Sequence, residues 1–282
     1  MPESVELLLS LILLCPLLIF YFLFKKHWVD LDLRKAFLSG LAAGIGAIVI
    51  TRVVYLPIEY FLGTDLRSFI SGSGAWFVTL MACVGIIGLI EEALKAAGGM
   101  LASYYSEFMR RPTAVFMGFA GCAMSFSLLE NIQYFLLFGV SVVLPRIVIS
   151  SSAHLFFSSI CAVIVADAVI RRNRATVVSV RILAGIAAAA VVHGFFDFVV
   201  FHFDIQAVSG LVISLLAVFL LGIYETWLGV LKLDVPEEAR LMSCAGCGAF
   251  SLDRVRFCGF CGSRVVRMPP RPELKVTDAE ES

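Results

Sequence analysis

About seven stretches of this chain run for roughly 20 residues with little or no charge, the length needed to cross a bilayer core of about 30 Å. They lie near 5–24, 36–56, 75–102, 114–138, 147–170, 178–202 and 208–231. A segment in hydrocarbon has no water to satisfy its backbone, so each such run is expected to be a helix whose N–H and C=O groups pair internally. The fold class expected is therefore all-α: a polytopic membrane helix bundle of about seven spans, with the lipid bilayer as its first partner. Composition agrees. The chain is 60% hydrophobic and 16% charged, against about 45–50% and 25% for soluble domains, and its mean hydropathy is +0.94. Twenty-two basic residues balance 22 acidic ones, which argues against nucleic acid as a main partner. The first run follows Glu3 and Glu6 with no Lys or Arg and no small-x-small cleavage site, so it is expected to stay as an anchor and not to be removed as a signal peptide.

Loop charge sets an orientation, because Lys and Arg accumulate on the cytoplasmic side. One set of loops carries Lys25, Lys26, Arg34, Lys35, Arg110, Arg111, Arg171, Arg172, Arg174 and Arg181, and the opposite set carries Arg67 and Arg146. This bias expects an integral protein of the bacterial inner (cytoplasmic) membrane, with its N-terminus outside and its C-terminus in the cytoplasm. Gly40 and Gly44 form a GxxxG step, and Gly85, Gly88, Ala93 and Ala97 repeat similar spacing. Small side chains let helices approach closely in lipid, so these positions are read as packing. Asp167 is expected to pair with Arg171 four residues on, and Arg52 and Glu225 to snorkel at span ends.

Beyond the spans the chain changes character. The bundle is expected over 1–231, a polar linker over 232–243, a zinc-ribbon-like module over 244–266 and a disordered tail over 267–282. Cys244, Cys247, Cys258 and Cys261 give two CxxC pairs separated by ten residues, each pair followed by glycine. Four thiolates at this spacing can close a tetrahedral site, so a structural zinc is expected there, supplying most of the folding free energy of a module too small for a core. The alternative, a pair of redox disulfides, is disfavoured in a reducing cytoplasm. Cys15, Cys83, Cys122 and Cys161 stand singly within spans and read as small apolar residues.

Chemistry, if present, must come from ionisable groups within the spans, which are costly in hydrocarbon and mark pathways or reaction centres. The third span carries Glu91, Glu92 and Lys95; the fourth carries Phe126, Glu130 and Asn131; the fifth His154; and the sixth His193 and Asp197. Lys95 lies four residues after Glu91 and three after Glu92, on the same helical face, where it can neutralise one of them. Asp197 lies four after His193, within reach of orienting its imidazole. The depths of these groups let four helices bring them together near the bilayer midplane or slightly outside it.

The order EExxK, FxxxEN, a lone His and HxxxD resembles the PrsW family of intramembrane proteases, which is similar to the larger group containing the CAAX prenyl proteases. The resemblance covers roughly 75–202 and implies hydrolysis of a peptide bond in a membrane-anchored protein, for example in the regulated processing of an anti-sigma factor. In a metal-free version, Glu91 or Glu92 is the general base, Lys95 holds the other carboxylate ionised, and His154 and His193 stabilise the oxyanion or protonate the leaving amine. Glu130 and Asn131 then position the water or the substrate backbone. In a metal-dependent version, His154, His193 and Glu130 hold a catalytic zinc and a remaining Glu is the base. Lys95 beside the paired acids tilts the sequence argument toward the metal-free version. The competing function is a non-enzymatic carrier, or a scaffold whose zinc-ribbon tail recruits a cytosolic partner, with Glu91, Glu92 and Lys95 as a salt-bridge network that fixes packing.

Overall fold

The computed structural model describes residues 20, 21, 24, 30–105, 111–170, 175–202, 209–234, 241–244, 247, 250–252 and 265–267. Contacts divide the chain into two compact units, Met1–Asp234 and Val235–Ser282.

The first unit is helical. It comprises α1 (Leu31–Leu62), α2 (Leu66–Gly72), α3 (Trp76–Ala82), a π-helical turn (Cys83–Gly88) leading without a break into α4 (Leu89–Tyr105), α5 (Pro112–Phe138), α6 (Val140–Ile170), α7 (Ala175–His202) and α8 (Ser209–Asp234). Five helices among the described residues are long and apolar enough to cross a membrane: Leu31–Leu62, Trp76–Ser103, Pro112–Phe138, Arg146–Ala168 and Ser179–Phe201. They carry the second to sixth runs read from the sequence. The seventh run is helical as α8, but its described apolar stretch, Ala217–Leu231, is shorter than these five. The first run lies outside the described residues except for Phe20, Tyr21 and Phe24, which are helical.

Local chemistry sets the helix ends. Asp30 caps α1, its Oδ1 accepting from the Asp32 and Leu33 amides at 2.9 and 3.4 Å, which satisfies donors left open by the first turn. Gly63, at φ +67°, closes α1 in the left-handed region that glycine enters freely. Pro112 opens α5, where its fixed φ costs no hydrogen bond.

Helix α5 is the axis of the bundle. Every residue from Pro112 to Ser127 is buried, as an all-round apolar helix must be when neighbours cover it on all sides. It packs against α1, α4, α6 and α8. The α1–α5 crossing is held close by glycines: a Cβ at Gly40 would meet the Gly118 carbonyl, and one at Gly121 would meet the Phe37 carbonyl. The Gly40–Gly44 step thus packs as expected. Gly88 meets the Ala190 carbonyl, whereas Gly85 faces open space, so only part of the second small-residue series is a packing surface. The large exposed side chains of α1, such as Leu38, Ile45, Val49, Val53 and Leu56, are apolar, as a lipid-facing surface requires. Tyr60, Phe61, Trp76 and Phe77 are exposed where α1 ends and α3 begins, the placement of aromatic rings at a membrane interface.

The second unit contains β1 (Leu241–Cys244), β2 (Phe250–Leu252) and β3 (Val265–Arg267), an antiparallel sheet of order β2-β1-β3. Ser243 pairs with Phe250, and Cys244 pairs with Val265. The end of β1 and the starts of β2 and β3 therefore lie at one end of the sheet. Cys258 and Cys261 lie outside the described residues.

Candidate active site

Four helices bring the polar residues singled out in the sequence to one place. Glu91, Glu92 and Lys95 come from α4, Glu130 and Asn131 from α5, His154 from α6, and His193 and Asp197 from α7. Glu92, Lys95, Asn131, His154 and His193 are at most 3% exposed and Glu91 is 6% exposed, so their charges and hydrogen bonds must be matched within the protein.

Lys95 sits at the centre of that matching. Its Nζ lies 2.5 Å from Glu92 Oε1 and 3.9 Å from Glu91 Oε2, 2.9 Å from His154 Nδ1, and 4.8 Å from the centre of the Phe126 ring. Of the two acids, Glu92 is the one Lys95 pairs closely. His193 Nδ1 also contacts Glu92 Oε1, at 2.8 Å, while its Nε2 faces Asp197 Oδ2 at 3.4 Å and Glu91 Oε2 at 3.9 Å. The imidazole is thus oriented mainly by Glu92 from another helix, and Asp197, expected to do this, makes the longer contact. His154 Nε2 bonds Glu130 Oε2 at 2.8 Å, and Glu130 Oε1 is held by Arg146 at 3.1 Å. The two imidazoles meet edge to face at 5.1 Å, and Phe157 stacks on His193 at 4.9 Å.

Local backbone features set these positions. The π-helical turn Cys83–Gly88 precedes Glu91 by less than one turn. Such a turn carries an extra residue, so the helix on its C-terminal side is shifted in phase relative to the helix on its N-terminal side. Gly194, next to His193, lies against the backbone of Val84 and Cys83 in that turn, which leaves no room for a side chain and brings α7 close enough for His193 to reach Glu92.

Glu91 differs from its neighbours. Its Oε1 accepts from the Tyr55 hydroxyl at 3.2 Å, and its Oε2 is buried without a hydrogen-bond partner. A carboxylate oxygen buried and unmatched is costly unless something else engages it. Glu91 also lines a cavity of about 640 Å³, with Tyr55, Glu130, Asp197, Arg52 and Gln133 among the lining residues. That volume falls within the usual range of about 300–1,000 Å³ for ligand sites. Glu92, Lys95, His154 and His193 are not among the described lining residues, nor is Asn131, whose amide donates to Ser151 at 3.1 Å.

Among the described residues, Glu91, His154 and His193 form the group able to hold a metal ion, each offering a ligand atom within 4.8 Å of the others. The profile of PrsW family intramembrane metalloproteases matches residues 34–223, more than half of the chain. The chain belongs to this family. It is accordingly an integral membrane protease, and the expected resemblance holds at the level of the PrsW family. No curated protein and no solved structure gives a significant match.

The PrsW assignment makes a metal the implied cofactor, against the metal-free preference drawn from Lys95, and the residues present fit one. The donor set is one carboxylate and two imidazoles, as in catalytic zinc sites with an open fourth position. The orphaned Oε2 of Glu91 and the Nε2 of His193 face each other, and His193 Nδ1 is held by a carboxylate, as ligating histidines commonly are. Among the described residues the carboxylate grouped with the two histidines is Glu91; Glu130, which the sequence offered for that role, bonds His154 and is held by Arg146.

Two neighbours went unread in the sequence. Tyr55 lies on α1 outside the four motifs, and a tyrosine in an apolar span carries no signal of its own. Arg146 looked like a loop cation, but its guanidinium also lies over the Tyr134 ring at 3.4 Å. Arg52 bonds Gln133, and both line the cavity, so Arg52 does more than snorkel. Asp167 pairs with Arg181 of α7, and Arg171 lies outside the described residues.

Proposed function

We propose that this chain is an endopeptidase that hydrolyses a peptide bond of a membrane-anchored protein, with Glu91, His154 and His193 as the reacting centre. One observation carries the proposal: a buried carboxylate oxygen of Glu91, left without a hydrogen bond, lies beside both imidazoles, and Glu91 itself lines a cavity of about 640 Å³. Glu91, His154 and His193 would hold the metal, with His154 exchanging one of its two present hydrogen bonds for it. Such an ion, when bound, polarises the scissile carbonyl and supplies a hydroxide-like water at neutral pH.

The chain's own groups do the rest. Asp197 lines the cavity beside His193 and is placed to take the water's proton and return it to the leaving amine. Glu92, fixed by Lys95, orients His193, and Glu130, fixed by Arg146, orients His154. Asn131 holds Ser151 and thereby α5 against α6, a supporting role. The Lys95 ammonium, 2.9 Å from His154 Nδ1, favours a second reading in which Glu91 itself is the base. Chelation separates the two.

The tail is proposed to bind one structural zinc through Cys244, Cys247, Cys258 and Cys261. Support comes from the sheet, in which the strand ends flanking Cys244 and Cys247 and the start of the strand beyond Cys261 lie at one end. This module is the part that would meet a cytosolic partner.

The test is cleavage of single-span reporters in membranes carrying the wild type, Glu91→Gln, His154→Ala or His193→Ala. Each variant is expected to lose at least about a hundredfold in rate at unchanged abundance. Chelator should abolish cleavage by a chain lacking 235–282, and added zinc should restore it. Full activity in Glu91→Gln would remove the protease centre proposed here, and chelator resistance would assign Glu91 as base.

A further inference from the structure

We propose that Tyr55 of α1 is a positioning residue for Glu91, holding its carboxylate so that the free oxygen is presented to the reacting centre. This inference rests on the role given to Glu91 above. The Tyr55 hydroxyl donates to Glu91 Oε1 at 3.2 Å, and Oε2 is left without a hydrogen bond, 3.9 Å from His193 Nε2. A carboxylate on a flexible side chain can rotate so that either oxygen faces a given partner. One donor fixed on a different helix removes that freedom, as outer hydrogen bonds do for ligating or reacting carboxylates.

The hydroxyl is itself held in place. The Tyr55 ring is 5% exposed and packs in a cluster with Leu66, Ile70, Ala82 and Cys83, so α1, α2 and the start of the π turn together aim it. Tyr55 and Glu91 line the same cavity. The reacting centre thus requires a fifth helix besides the four that carry the motif residues, and α1 is more than a packing partner.

Tyr55→Phe keeps the ring and deletes the donor. In the full chain it is expected to lower kcat for a reporter by about tenfold or more, the usual scale for losing an outer hydrogen bond, while KM stays within about twofold and the heat-inactivation midpoint is retained. Cobalt titration gives a readout independent of turnover. Thiolate bands report the tail, the weaker bands of a nitrogen and oxygen site report the membrane centre, and only the latter should need about tenfold more metal. If Tyr55→Phe folds poorly, Tyr55→Ala is compared with phenol and with toluene added. Phenol should restore kcat and toluene, which fills the space without a donor, should not. A Tyr55→Phe enzyme with wild-type kcat, or equal rescue by toluene, overturns the inference. If Glu91→Gln is fully active, the protease centre itself falls; if Glu91→Gln is inactive and Tyr55→Phe is not, only the role of Tyr55 falls.

Discussion

Asp30 shows how a single side chain at the membrane edge is tuned. Burial pushes its carboxyl up, but the hydrogen bond and charge of Arg111 and the amides of Leu33 and Asp32 outweigh this and hold it below the ordinary value of 3.8. Asp30 Oδ2 lies 2.9 Å from Arg111 Nη1, so the cap of α1 also ties it to the start of α5. A carboxyl depressed by folding stabilises fully above its unfolded value, and the contribution is lost as pH falls through the folded one. Asp30→Asn keeps a capping side chain and removes the charge. The wild type should therefore resist heat in detergent better than Asp30→Asn at pH 6, and the difference should disappear as pH falls below 3.8; a gap that persists there would assign the effect to something other than ionisation. At this scale the polar residues that the fold gathers in one place were legible because a charge within hydrocarbon is informative by itself. Their partners were less so. Spacing could suggest that Asp197 orients His193, since both lie on one helix, but the closer bond comes from Glu92, and no spacing rule reaches across helices. Tyr55 and Arg146 were invisible for the same reason.

The element with the greatest leverage is the π-helical turn. Hydropathy sees only an uncharged apolar stretch over 75–90, ahead of Glu91, and a helical stretch apolar on all sides leaves no periodicity from which an inserted residue could be read. The turn nevertheless determines which faces of α3 and α4 look inward together: Ala82 and Cys83 pack with Tyr55, while Glu91 and Glu92, in the first turn of α4, face the histidines. Deleting Gly85, whose missing side chain would meet nothing, should return the segment to regular α-helix. Because the turn absorbs one extra residue, the helices on its two sides would keep nearly the same faces toward each other, and what is lost is the widened backbone of the turn. The chain should still insert, since its apolar length barely changes, but reporter cleavage should fall at least about tenfold, because Gly194 would lose its seat on Val84 and His193 its bond to Glu92. Unchanged cleavage by the deletion variant would mean that the turn does not set the site.

At the scale of the whole bundle, the ends of α1 and α5 give the site a side. The starts of both helices meet in the Asp30–Arg111 pair, among the loops that carry most of the basic residues. The cavity is lined by Glu59 and Asp65, at and beyond the far end of α1, and by Gln133, Tyr134, Leu137 and Phe138 at the far end of α5. The cavity therefore lies toward the end away from the basic loops, and on the positive-inside rule we propose that this end faces away from the cytoplasm. The spans were legible as lengths of apolar chain, but which end of the bundle admits a substrate depends on the packing of helix ends and not on hydropathy. Thr64→Cys and Lys35→Cys, both at exposed positions, test this assignment. In intact cells a membrane-impermeant thiol reagent should label Cys at position 64, and label Cys at 35 only after the membrane is opened. Reporters carrying their scissile segment outside should be cut, and the same segment moved to the cytoplasmic side should not. The reverse labelling would invert the bundle, and the same cavity would then admit cytoplasmic segments next to the membrane.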